Sequence, residues 1–191
     1  MPLKFYYYPH KPFVTTQRWG NFNPSYTQLG FTRHNGHDSN VGKFDWSGKV
    51  VSEYPVYCPV ENYKVTEVAY FPQGGGNQIG MVSKDKQHIG DQLCYVSIIL
   101  CHAKKVLVKV GDEPTVGELL MIADNTGFST GVHTHTGMYR LDDNLQKLDQ
   151  NEMTGSYDPS LLFTGEYAVD VASYGTLVKS GWRYYRYLLG V

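Results

Sequence analysis

The sequence predicts an all-β domain with hairpin connections and only minor helix. Short runs rich in Tyr, Val and Thr recur along the chain and are separated by Gly, Pro or Asn turns, which is typical of strands. Long segments with helical periodicity are absent from the sequence. The predicted strands are residues 49–57, 63–71, 79–83, 94–102, 106–110, 117–123 and 132–139.

The length and net charge of the chain argue against several classes of protein. A chain of 191 residues can bury a sizeable core and is most simply one domain. Its net charge of −1 argues against a nucleic-acid binder, since phosphate binding needs clustered Lys and Arg. No apolar run is long enough to span a membrane. No signal peptide is visible at the N-terminus, which leaves earlier processing and another release route both open.

The two ends of the chain are predicted to differ from the sheet region. We expect residues 1–165 to form the domain, with residues 1–33 as an irregular aromatic lead-in that packs as a loop over the sheet. Asp158 before Pro159 is expected to cap a short helix. Residues 166–191 are expected to form a C-terminal extension packed on the same domain.

The three cysteines do not form a disulfide framework. Cys94 and Cys101 flank one apolar run, and on a strand they would lie about 20 Å apart on opposite faces, which forbids a bridge between them. Cys58 has the option of pairing with either, but the composition favours buried free thiols.

Two pairs of residues have the spacing of a metal site. On a strand, His133 and His135 share a face about 7 Å apart, so one can bind a metal while the other stands beside it. His34 and Asp38 share a face of an extended segment, and Gly36 between them leaves room for close approach. Two histidines and one carboxylate leave a fourth position for water, as catalytic zinc sites do. The remaining histidines can then handle protons or stabilise an oxyanion.

Strand alternation gives less support to the other candidate metal-binding or catalytic residues. His102 ends the predicted strand 94–102, and alternation turns Cys101 away from it. His37 points away from the face of its neighbours, and His88 lies in a polar segment where a solvated side chain is expected. Asp112 follows a turn glycine and is expected to serve that turn. For any single histidine, a local hydrogen bond is the simpler interpretation.

Taken in order, these residues resemble a family. Its pattern is His-x-Gly-x-Asp, a His at a strand end, Gly-Asp, Gly, Thr-Gly-x-Ser-Thr and His-x-His. The matching positions here are His34, Gly36, Asp38, His102, Gly111, Asp112, Gly117, residues 126–130, His133 and His135. The chain is therefore similar to the lysostaphin/LytM-type (β-lytic) zinc endopeptidases across about residues 28–140.

The resemblance implies a fold, a cofactor and an activity. The fold is a twisted antiparallel sheet with a narrow groove that holds the metal. It implies one zinc ion per chain, held by His34, Asp38 and His135. His102 and His133 are implied as the two catalytic histidines that do not bind the metal. The implied reaction is attack of zinc-bound water on peptide bonds of bacterial peptidoglycan, in the cross-bridge or the stem peptide.

The resemblance also has implications for where the protein is located and for an alternative function. It implies an extracytoplasmic protein and leaves two settings open, ordinary secretion and a place in a bacteriophage virion or tail. Where many relatives have a bulky apolar residue between the final histidines, this chain has Thr134. The alternative function is a catalytically silent, zinc-bearing module that binds cell walls or builds a phage particle. Relatives of that kind commonly lack one or more of the five residues, and none is missing here.

Overall fold

The computed structural model describes residues 13–41, 52–149, 151, 153–162 and 168–170 and confirms the predicted all-β class. The strands are β1 Phe13–Gln17, β2 His37–Asn40, β3 Tyr54–Tyr57, β4 Tyr63–Phe71, β5 Gly76–Ser83, β6 Gln87–Ile89, β7 Gln92–Val106, β8 Leu119–Ala123, β9 Thr134–Leu141 and β10 Ala168–Asp170. Two 3-10 helices, Pro24–Leu29 and Pro159–Leu162, complete the described elements.

Strand pairing brings distant parts of the sequence together around β7. The sheet runs in the order β10-β1-β2-β9-β7-β5-β4, β6 pairs with β7, and β8 pairs with both β3 and β7. The described pairs are antiparallel, except that β1 and β10 are parallel. Because β2 lies beside β9, Asp38 stands directly opposite His135.

The hydrophobic core lies on one face of the sheet. Met81, Ile98 and Met138 are neighbours across β5, β7 and β9, and each has no exposed surface. Val56 and Met121, paired across β3 and β8, belong to the same buried cluster. Alternation along the strands therefore places the intervening residues of β7 and β9 on the opposite face, where they line a cleft.

The N-terminal lead-in is more regular than the sequence predicts. Within residues 13–33 the chain forms β1 and the first 3-10 helix, so the prediction of an irregular loop is wrong there. The side chain of Asn23 caps this helix by accepting a hydrogen bond from the amide of Ser25 at 3.0 Å. The partners of β1 are β2 and β10, so its stabilisation comes from distant segments rather than from a local pattern.

The predicted strand 106–110 is also wrong. Val106 is the last residue of β7, and the following residues leave the sheet, with Val110 58% exposed. They lead into a turn in which the Lys109 amide donates to Asp112 Oδ2 at 3.0 Å. Asp112 thus serves its turn as predicted.

Smaller predictions can be checked in the described residues. Cys58, Cys94 and Cys101 are buried free thiols, as predicted. Asp158 accepts a hydrogen bond from the Ser160 amide at 2.9 Å and caps the second 3-10 helix. Neither described helix has the length and apolar character needed to cross a membrane. The predicted boundary between residues 165 and 166 lies outside the described residues and stays a prediction.

Candidate metal and catalytic site

Three side chains from distant parts of the sequence converge at one point of the cleft. His34 Nε2 lies 3.1 Å from Asp38 Oδ1 and 3.1 Å from His135 Nδ1. His135 Nδ1 lies 2.9 Å from Asp38 Oδ1, which closes the triangle. Among the described residues, these three form the group of His, Cys, Asp and Glu side chains with metal-ligand spacing. They are the three residues that the sequence predicted as ligands.

Local backbone structure explains this convergence. Asp38 and His135 are cross-strand partners in the β2–β9 pair, so their side chains share a face. His34 reaches them from the segment before β2, across Gly36. A Cβ atom at Gly36 would lie 2.5 Å from both Cε1 and Nε2 of the His135 ring. Glycine is therefore the residue that lets the two segments approach this closely.

The donor atoms fit a zinc ion. His34 Nδ1 lies 3.1 Å from the Arg18 carbonyl oxygen, which can only accept, so the proton resides on Nδ1 and the Nε2 lone pair faces the other two ligands. Burial raises the pKa of Asp38, but the adjacent His135 and His34 rings outweigh this effect and hold the pKa well below its usual range. Ligands around a tetrahedral zinc lie about 3.3 Å apart, close to the observed spacing.

Two further histidines flank this group. The ring centroids of His102 and His133 are 4.5 Å apart, and His102 lies 6.0 Å from the His135 ring. His102 Nδ1 donates to the Thr126 carbonyl at 2.7 Å, and His133 Nδ1 donates to the Gly131 carbonyl at 2.8 Å. With Nδ1 protonated, the neutral form of each ring has its lone pair on Nε2. His133 Nε2 lies 3.4 Å from Asp38 Oδ2, so it faces the Asp38 carboxylate.

Comparison with known proteins finds sequence relatives for part of the chain. No family model matches the chain. A segment of 76 residues, 40% of this chain, is 34% identical to the glycyl-glycine endopeptidase ALE-1 of Staphylococcus capitis and covers 19% of it. The match to lysostaphin of Staphylococcus simulans is also 34% identical and covers 14% of that protein. The chain therefore spans less than a fifth of the length of these relatives.

Solved structures share the fold. The catalytic domain of lysostaphin from S. simulans superposes with a TM-score of 0.53 over 78% of this chain and 90% of that domain, at 24% identity. A zinc-containing peptidase from Vibrio cholerae superposes with a TM-score of 0.52 over 72% of this chain and 37% of that protein, at 23% identity. The chain therefore has the fold of these peptidase domains.

His102 itself has a left-handed backbone conformation and lines the cleft. His102 has a φ of +68°, and it lies at a β-bulge where Cys101 and His102 together stand opposite Gln78. Both Cys101 and His102 consequently line the cleft. The prediction that alternation turns Cys101 away from His102 is wrong, because alternation does not hold across a bulge.

Hydrogen bonds among Thr126, Ala103 and Asn77 form a clasp next to His102. Thr126 Oγ1 donates to the Ala103 carbonyl at 2.8 Å and accepts from the Asn77 amide at 3.2 Å. Asn77 Nδ2 donates to the same Ala103 carbonyl at 2.9 Å. Gly127 makes this approach possible, since a Cβ there would lie 2.2 Å from the Gly76 nitrogen. The clasp fixes the Thr126 carbonyl that orients the His102 ring.

The lead-in supplies a wall of the cleft, which has a volume of about 540 Å³. The Tyr26 ring stacks on His34 with centroids 5.7 Å apart and an interplanar angle of 21°. The Phe128 ring meets the Tyr26 ring edge-on, with centroids 6.2 Å apart. Sequence reasoning missed Tyr26 because it is one of 16 tyrosines. It missed Arg18 because that residue acts through its main-chain carbonyl.

The remaining histidines of the described residues lie apart from the ligand cluster. His37 is 1% exposed, and its Nε2 lies 3.1 Å from Thr15 Oγ1 on β1. Burial lowers the pKa of His37 to about 4, so the ring is neutral. His88 is exposed, as predicted, although it lies on the short strand β6.

Proposed function

We propose that this protein is a zinc-dependent endopeptidase that hydrolyses peptide bonds in bacterial peptidoglycan, in the cross-bridge or the stem peptide. The observation that carries the proposal is the convergence of His34, Asp38 and His135 beside two oriented histidines in one cleft. The sequence relatives support it, since ALE-1 is named a glycyl-glycine endopeptidase. The donor set supports one zinc ion per chain.

The chain's own residues supply the proton handling. When bound by the three ligands, zinc supplies Lewis-acid activation of a water and of the scissile carbonyl. Burial and the neighbouring His133 and His135 lower the pKa of His102 to about 3, so its Nε2 is a free acceptor. His102 and His133 each present an Nε2 atom to the cleft, and these atoms are the groups of the chain placed to handle the protons of the attacking water and the leaving amine. Their fixed Nδ1–H bonds hold both Nε2 atoms toward the cleft.

The substrate also defines the setting. Peptidoglycan lies outside the cytoplasm, so we propose an extracytoplasmic protein. Ordinary secretion and association with a phage virion or tail both meet this requirement, and detection of the protein in purified particles separates them.

Digestion of purified sacculi tests the function. We expect the zinc-loaded protein to release new amino groups from the walls. His135→Ala should lose zinc and activity together. His102→Ala and His133→Ala should retain zinc and lose turnover by about 100-fold to 10,000-fold, the usual contribution of a general acid–base group. His88→Ala is the matched control, because that histidine is exposed on β6 and should leave both properties unchanged.

One result would contradict the proposed peptidase activity and would support the alternative, a catalytically silent wall-binding module. A silent wall-binding module would pellet with the sacculi and release no amino groups with zinc present. Mass analysis of fragments from walls of defined chemistry then identifies the bond that an active enzyme cleaves.

A further inference from the structure

Directly behind the metal ligands, the face of the sheet that carries the hydrophobic core has two buried polar residues, although buried strand faces are usually apolar. Ser39 on β2 and Thr134 on β9 both have no exposed surface. They are cross-strand partners, and they follow directly on the Asp38–His135 pair in the β2–β9 register. Successive residues of a strand point to opposite faces, so Ser39 and Thr134 lie immediately behind the ligand pair.

The hydroxyl of Tyr54 joins these two strands. Tyr54, on β3, is 5% exposed, and its hydroxyl donates to the Ser39 carbonyl at 3.0 Å. A phenol has a single proton, so Thr134 Oγ1, also 3.0 Å from the Tyr54 oxygen, is the donor in the second bond. Burial raises the pKa of Tyr54, which keeps the hydroxyl protonated. One buried oxygen therefore links β2 to β9 behind the metal site.

We propose that Tyr54 and Thr134 form a buried clamp that fixes Asp38 against His135 and thereby raises the affinity of the site for zinc. Ser39 adjoins Asp38, and Thr134 adjoins His135, so the clamp acts one residue away from each ligand. Tyr54 is a positioning residue, since it acts through the strands that carry the ligands. Metal affinity depends on such outer contacts because they hold the ligands at the spacing that the ion requires.

The clamp also accounts for a departure from the family pattern. A larger apolar side chain at position 134 would hold β9 by packing alone, whereas Thr134 holds it by a hydrogen bond to Tyr54. The inference rests on the proposed zinc site. It adds that this chain stabilises the site through a polar pair rather than through an apolar contact.

Zinc affinity of Tyr54→Phe tests the clamp, measured by competition with a chromophoric chelator. We expect binding about 10-fold weaker than in the unaltered protein, the lower end of the range for outer contacts of metal ligands. Tyr63→Phe is the matched control. Tyr63 is 1% exposed, and its hydroxyl has no hydrogen-bond partner among the described residues, so its removal should leave zinc affinity unchanged.

A second variant separates positioning from general destabilisation. Thr134→Val removes the other half of the clamp and should weaken zinc binding by a similar factor. The double variant should be no weaker than either single one, because the two hydroxyls act as one unit. The visible spectrum of the cobalt-substituted protein should shift in Tyr54→Phe and stay constant in Tyr63→Phe.

Two failures are distinguishable. If the unaltered protein binds no zinc, the proposed function is wrong, and the clamp proposal, which depends on the zinc site, is wrong too. If the unaltered protein and Tyr54→Phe bind zinc equally well, or if Tyr63→Phe weakens binding as much, the clamp alone is overturned.

Discussion

Main-chain carbonyl groups orient three of the imidazoles in the cleft. Each carbonyl accepts a hydrogen bond from Nδ1, which leaves Nε2 free to face the cleft. The pairs are His34 with Arg18, His102 with Thr126, and His133 with Gly131. A carbonyl cannot donate, so the tautomer of each neutral ring is fixed by the backbone. Substitution of Arg18 or Thr126 acts on this orientation only through changes in the backbone.

Gly36 is the residue whose side-chain absence matters most for the ligand cluster. In Gly36→Ala the new methyl would lie 2.5 Å from the His135 ring, so the ring or the segment must move. We expect zinc affinity to fall by at least about 10-fold, with a loss of about 1–3 kcal/mol in the free energy of unfolding from overpacking. Zinc content after dialysis and chelator competition measure the first effect, and urea unfolding measures the second.

Gly131→Ala is the matched control for that substitution. No atom lies within 4 Å of a Cβ at Gly131, so the variant should bind zinc as the unaltered protein does. Equal zinc affinity in Gly36→Ala and Gly131→Ala would contradict the close approach seen at Gly36.

Side-chain patterns made the ligand cluster predictable, whereas its backbone partners had no such signal. His34 and Asp38, and likewise His133 and His135, have spacings that place each pair on one face, and the ordered family motif joined them. The carbonyl of Thr126 has no sequence signature, because every residue carries one. The bulge at His102 was equally invisible, since a positive φ at a non-glycine residue depends on the tertiary contacts around it.

At the scale of elements, the clasp between β5 and the segment after β8 controls the orientation of His102. Thr126→Val removes the hydroxyl that bonds Ala103 and Asn77 and leaves the Asn77 amide without this acceptor. We expect the free energy of unfolding to fall by about 1 kcal/mol, the low end of the cost of an unsatisfied donor, because the Asn77 amide is only partly buried. Turnover should fall by about 10-fold because the Thr126 carbonyl no longer holds His102 firmly, while zinc content stays at one ion per chain.

Thr126→Ser provides the rescue for this experiment. It retains the hydroxyl and should restore most of the turnover lost in Thr126→Val. If both variants keep full turnover, the clasp has no influence on His102, and the left-handed φ at that residue is maintained by other contacts.

Some strands could be predicted from the sequence and others could not. The bounds of β4 match the predicted strand 63–71, because alternating burial and flanking turns are both local signals. The strand β1 was missed because its stabilising partners, β2 and β10, are distant in sequence. Residues 107–110 have strand-forming composition, but in the described part of the chain the Leu107 amide still donates to Leu120 on β8 at 2.9 Å and none of the four residues is part of a strand, so composition alone gave a false positive.

For the molecule as a whole, a bound zinc ion would join two segments about a hundred residues apart in sequence. The ion binds the folded arrangement of His34, Asp38 and His135, which the unfolded chain lacks, so zinc should stabilise the fold. At free zinc a hundred times the dissociation constant, the gain is about 2.7 kcal/mol. For a chain of this size that corresponds to a rise in Tm of about 5–10 °C.

Thermal unfolding with zinc and with a chelator measures this linkage directly. The zinc-dependent rise in Tm should vanish in His135→Ala, which loses a ligand, and persist in His102→Ala, which keeps all three. This pair of variants is informative because both histidines line the same cleft. If loss of any imidazole from the cleft reduced the zinc-dependent rise in Tm, the rise would fall equally in the two variants. A rise that survives in His135→Ala would mean that zinc stabilises the protein at some other position, and the ligand assignment would have to be abandoned.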